Sequence, residues 1–113
     1  MEAKIVRDAD ILDALGAVGI ARAFMFGGFL GEPIWTQASI QARFVPGKSH
    51  SVVAHFFEKL LNLDAEMCTD MGKRLARERC AYMRAFIRQL VVDLCLDEMT
   101  LAEIGARLCA YEQ

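Results

Sequence analysis

Three aspartates, Asp8, Asp10 and Asp13, fall in an otherwise apolar stretch from Lys4 to Arg22. On an ideal helix Asp10 and Asp13 lie about 60° apart around the axis, with Val6, Ala17 and Ile20 on their side, while Asp8 points well away. An unpaired carboxylate buried among apolar groups costs several kcal/mol or takes up a proton. Two of them on one apolar face therefore require a cation, a network of donors, or solvent. The chemistry this pattern could serve is metal coordination. The plainer reading is a pair of exposed acids near a helix start, where the helix dipole also favours negative charge.

Other candidate ligands are sparse. His50 and His55 are five apart, about 140° around a helix, which is a poor chelate unless His50 lies in the preceding loop. Cys68, Cys80, Cys95 and Cys109 are separated by twelve, fifteen and fourteen positions, and no Cys-x-x-Cys pair offers zinc a tight turn. They read as reduced thiols, and with Glu2, Lys4, Arg7, Asp8 and Asp10 interrupting any secretory apolar core, the expected compartment is the cytoplasm. Lys73, Arg77, Arg84 and Arg88 fall within about 60° around a predicted helix and form a candidate contact for phosphate or a partner. The alternative is a solvated border whose long stems cover apolar surface. Gly27-Gly28-Phe29-Leu30-Gly31 has no Gly-Lys-Ser/Thr at the spacing of a phosphate loop, so it is a helix stop rather than a phosphate loop.

The elements that must position these residues belong to one domain, since 113 residues bury roughly two-thirds of their extended surface in a single modest core. Hydrophobic residues make up 55% and six are Met, which points to apolar surface reserved for a partner. A net charge of -2 and the lack of a nucleic-acid motif argue against a nucleic-acid binder. The apolar run from Ala14 to Gly31 is punctuated by five glycines, so a buried helix and a following loop are expected rather than a membrane span.

The periodicity predicts a first helix from about Ala3 to Phe24, stopped by Gly27-Gly28, with Gly16 and Gly19 allowing close backbone approach. A connection of about twenty residues follows, marked by Gly31, Pro33, Pro46 and Gly47. Ser49 or Ser51 caps a second helix through about Met67. A third starts at Thr69 and runs to about Leu96, its seam Ala76, Cys80, Met83, Ile87, Leu90 and Leu94 stepping by four and three. Thr100-Leu101-Ala102-Glu103 reads as a capping box that opens a short last helix.

Several segments, taken in order, resemble a known family. Asp8-Ala9-Asp10-Ile11-Leu12-Asp13-Ala14 is similar to the "Asp-Ala-Asp-Arg-Leu-Asp-Ala" that closes the metal site of HD-domain metal-dependent phosphohydrolases. Phe26-Gly27-Gly28 with Gly31-x-Pro33 continues the likeness, and His55-Phe56-Phe57-Glu58-Lys59-Leu60-Leu61 resembles the family's "His-Phe-Tyr-Glu-Lys-Leu-Leu". Met67-Cys68-Thr69-Asp70-Met71-Gly72-Lys73-Arg74 is similar to "Met-Asn-Thr-Glu-Thr-Gly-Arg-Arg", and the likeness runs on through Arg79 to Phe86.

The resemblance implies an all-α fold of about four helices, a partial HD-like bundle over residues 1–113 with a long loop between helices one and two. It makes Asp10 the match to the family's last metal ligand and Asp13 its near neighbour. His55 matches a position that is not a ligand. Ile11 stands where the family has Arg, removing a guanidinium that could pair with phosphate or the carboxylates. The family's other ligands, a His and a His-Asp pair, lie upstream of this segment, and one carboxylate cannot hold the ion that generates the attacking hydroxide. The expectation is therefore a protein that is not active alone, binds no cofactor by itself, and covers its apolar face by forming a homodimer or larger homo-oligomer. If a complementary HD half or a second copy completes the site, the expected ion is Mn, Mg, Fe or Ni and the activity a metal-dependent phosphohydrolase. A third reading is a module that docks a partner through the basic stripe.

Overall fold

The computed structural model describes residues 2–36, 39, 51–58 and 60–111. Among the described residues the helical elements follow in the order α1 Glu2–Leu12, α2 Gly16–Leu30, α3 Val52–Glu58, a 3-10 segment Leu60–Glu66, α4 Asp70–Asp93 and α5 Glu98–Ala110. The fold is all-α, and no strand occurs among the described residues. No single described helix is long and apolar enough to cross a membrane.

Where the spacing predicts one long first helix, the chain makes two, bent by 63°. The break has a local and a distant cause. Leu15 is extended (φ -117°, ψ 164°) and Gly16 has φ +72°, a left-handed conformation that costs a glycine little. From α4, Arg79 reaches across and its Nη1 donates to the Leu12 carbonyl at 2.8 Å, adding to the bond this oxygen accepts from Leu15 N–H at 3.1 Å and tying the end of α1 to α4. The stem of Arg79 lies 3.1–3.4 Å from where a Gly16 side chain would begin. The elbow lets both Leu15 and Ile20 enter the core.

Helix α2 then runs past Gly27-Gly28, which the sequence reading takes as its stop, to Gly31 at φ +74°. Glu32 N–H donates to the Gly27 carbonyl (2.8 Å) and Gly31 N–H to that of Gly28 (3.1 Å), the paired bonds of a Schellman ending. Gly27 is buried because α3 needs the space: a Cβ there would come within 2.5 Å of Val52 Cγ2. After the turn, the carbonyls of Pro33 and Ile34 accept from the N–H groups of Val52 and Val53 at 2.9 and 3.1 Å. Ser51 caps α3 as expected, its hydroxyl accepting from Ala54 N–H at 3.0 Å and meeting the Ser39 hydroxyl at 2.6 Å. Most of the predicted long connection, including Pro46, Gly47 and Ser49, lies outside the described residues.

The predicted second helix is also two pieces. The tighter winding from Leu60 to Glu66 turns Leu61, Leu63 and Met67 into the same core as Phe56 and Phe57. Helix α4 is the element that the others share, packing against α1, α2, the 3-10 segment and α5. Its predicted seam is present in its first four positions, with Ala76, Cys80, Met83 and Ile87 fully buried; beyond them the buried residue is Val91, while Leu90 and Leu94, expected to continue the seam, are half-buried. Thr69, where the helix is expected to start, is its cap, accepting from Gly72 N–H at 3.0 Å. The last helix starts earlier than the Thr100 box implies. Asp97 is the cap, its carboxylate accepting from Thr100 N–H at 2.7 Å, and Thr100 is buried in the first turn. Helix α5 is held from its far end, where Tyr111 donates to the Phe57 carbonyl (3.0 Å) and the Arg107 guanidinium sits 4.6 Å from the Phe57 ring centre.

Candidate functional site

Helix α1 carries Asp8 and Asp10, with Asp13 in the turn that follows, and the fold buries the one aspartate that ideal helix geometry sets apart from the other two. Asp8, expected to point away, is the buried one at 4% exposure, while Asp10 and Asp13 face solvent. The face that joins Asp10 and Asp13 to Val6 is therefore an exposed face, and Val6 is itself exposed.

Asp8 is fully engaged. Its Oδ1 accepts from Cys68 N–H at 2.7 Å and its Oδ2 from Thr69 N–H at 2.8 Å, while the Thr69 hydroxyl donates to the same oxygen. That hydroxyl in turn accepts from Gly72 N–H, so one side chain both caps α4 and ties it to α1. The carboxylate also sits at the positive end of the α4 dipole. The Thr69 hydroxyl, with the Cys68 and Thr69 N–H groups, outweighs desolvation and holds the Asp8 carboxyl below the usual carboxylate range. Gly72 makes the approach feasible, since a side chain there would overlap the Asp8 carboxylate.

The result is a fixed helix that presents Asp10 outward two residues from its anchor, and Asp13 in the turn after α1. Arg22 Nη1 donates to the Asp13 carbonyl at 3.3 Å, and Arg7 and Glu66 form an exposed ion pair at 3.5 Å that stabilises little. Among the described residues, no three His, Cys, Asp or Glu side chains gather closely enough to hold a metal ion. His55 is half-buried, and His50 lies outside the described residues.

The basic stripe divides along α4. Lys73 and Arg77 are exposed, with Arg77 Nε donating to the Lys73 carbonyl at 3.4 Å. Arg84 and Arg88 are half-buried, and Arg88 reaches the Cys109 sulfur of α5 at 4.0 Å. Arg88 thus lies on the α4–α5 border, where its stem covers apolar surface.

Sequence reasoning missed Asp8 and Arg79, the two side chains that hold α1 in place. For Asp8 a signal was available: Asp8, Ile11, Leu12 and Leu15 follow the three-and-four spacing of an inward face. For Arg79 there was none, because its partner carbonyl is 67 residues away.

No family model matches the sequence. YpgQ, an uncharacterised protein of Bacillus subtilis, is 48% identical over 94 residues, covering 83% of this chain and 40% of its own length. A crystal structure of YpgQ in complex with ADP, 49% identical, matches with a TM-score of 0.68 over 81% of this chain and 44% of that one. An HD-superfamily hydrolase from Bacillus thuringiensis is 40% identical, with a TM-score of 0.71 over 85% of this chain and 47% of its own. The fold is thus HD-like, and the chain spans about half the length of the relatives it matches.

Proposed function

We propose that this chain is an HD hydrolase-related helical protein in which Asp10 is the remnant of a divalent-metal site. By itself it has no hydrolase activity, and it self-associates through exposed apolar surface on α1 and α2. The observation that carries the reading is the division of labour within α1. Asp8 is committed to three hydrogen bonds that hold the helix on α4, whereas Asp10 stands exposed at the position matching an HD ligand. Asp13 lies close enough in sequence to orient water or donors around that ligand. A single carboxylate does not retain Mn, Mg, Fe or Ni, so the ion, and the hydroxide it would generate, require nitrogen and oxygen ligands from elsewhere.

A second reading is an active phosphohydrolase whose site is completed by another chain or across a homodimer. The ADP bound to YpgQ favours it and makes a nucleoside diphosphate the first substrate to try. The two are separated by metal analysis of the purified protein and by nucleotide and phosphomonoester hydrolysis with added manganese. The first reading expects no retained metal and no turnover. Turnover that Asp10→Ala abolishes would replace it with the second.

A further inference from the structure

Helix α1 is held differently from the helices around it. Helices α2 to α5 each bury apolar side chains in the core, among them Ile20, Phe56, Met83 and Ile104. The one buried residue of α1 is Asp8; Ile5 and Val6 are exposed, and Ile11 and Leu12 pack against the core only in part. Its ties are therefore polar and few. Three donors from Cys68 and Thr69 meet the Asp8 carboxylate, the Arg79 guanidinium holds the Leu12 carbonyl, and the Arg7–Glu66 pair is exposed.

Little sustains the helix once those ties open. Eleven residues are too few for a stable isolated helix in water, and Ile5, Val6 and Ile11 are branched at Cβ. Asp10 stands in the last turn, at the negative end of the helix dipole, with no basic residue beside it there. The connection to α2 supplies a pivot. Asp13 and Ala14 belong to neither helix, and Leu15 beyond them is anchored in the core, so α1 can swing without disturbing α2.

We infer that α1 is a latched arm. It comes off α4 and unwinds as a unit about Asp13 and Ala14 while α2 to α5 stay folded, and Asp8 with Thr69 and Arg79 forms the latch. Because Asp10 belongs to α1, its carboxylate has a fixed position only in the latched form. The inference is independent of the metal reading above, since it concerns how the helix is held rather than what Asp10 binds.

Amide hydrogen exchange of the full chain, followed against urea, tests this. Opening of a small unit exposes little surface and so has a small urea slope. The Asp10, Ile11 and Leu12 amides should therefore exchange together, about 10-fold or more faster than those of Met83 and Ile87 and with less than about half their urea slope. The variant Asp8→Ala/Arg79→Met removes both ties but keeps an apolar stem beside Gly16. It should lose protection throughout α1 and helical circular dichroism worth the eleven residues of that helix, while the remainder still unfolds cooperatively in urea. Wild-type α1 amides that share the slope of Met83 and Ile87 overturn the inference, because α1 would then open only with the whole domain. So does a double variant in which α1 stays protected, or one that unfolds entirely.

Discussion

Replacing Gly72 with alanine tests the junction that fixes α1 on α4. Helix propensity alone predicts a gain of up to about 1 kcal/mol from Gly→Ala inside a helix. The structure predicts the opposite sign. The new Cβ would overlap Asp8 Oδ2 and lie 2.8 Å from both Thr69 Oγ1 and Met67 Cε. The Met67 methyl can swing aside cheaply, but the two oxygens are held by the hydrogen bonds that define the site. Overpacking costs about 1–3 kcal/mol and displacing the Thr69 cap about another 1 kcal/mol. Set against the propensity gain, the net is a loss of roughly 1–3 kcal/mol, or a fall in Tm of about 4–12 °C for a domain of this size.

Thermal unfolding followed by circular dichroism measures this, with Gly28→Ala as the reference. Gly28 is also helical, and a Cβ there meets nothing within 4 Å, so that variant should show the propensity gain undiminished. In an Asp8→Ala background the penalty at Gly72 should shrink, because one of the two fixed oxygens is gone. A Gly72→Ala protein as stable as Gly28→Ala would refute the account of this junction.

Three further outcomes follow from the same geometry. Asp8→Ala should lower Tm markedly by leaving the Cys68 and Thr69 N–H groups without their acceptor, whereas Asp10→Ala should leave the unfolding curve unchanged; equal effects would mean the two aspartates are misassigned. Met83→Ala, at a fully buried seam position, should cost about 2–5 kcal/mol in urea titration at unchanged slope. The Thr100 N–H and hydroxyl hold the Asp97 carboxyl below its ordinary 3.8. Its contribution to stability is therefore complete above that value and lost as pH falls through the lower folded value, so Asp97→Asn should keep the cap at neutral pH and flatten the acid limb of a Tm-versus-pH curve.

The residues of α4 show how much was legible in advance. Its seam steps by four and three over many turns, and Thr69 meets its Gly72 partner three residues on, so both period and cap are contained within neighbouring residues. The same locality explains why Ser51 was among the caps expected for α3. It also explains the error at α5, where two plausible caps lay three residues apart. Asp97 holds the place because Thr100 is drawn into the core.

The sequence by itself determined that the chain is helical and where the longest of its described helices lies. Those properties depend on propensity and on spacing over a few residues. Tertiary structure decided that the first helix bends at Gly16, that α2 passes Gly27, and that Asp8 rather than Asp10 is buried. Each of these depends on a group distant in sequence: Arg79 for the bend, Val52 for Gly27, and the Cys68–Gly72 segment for Asp8. A helix pattern states which residues share a face, but the face that turns inward is set by the partner that can satisfy it. For α1 that partner was a set of donors at the start of α4, which accepted a carboxylate where the pattern suggested an apolar contact.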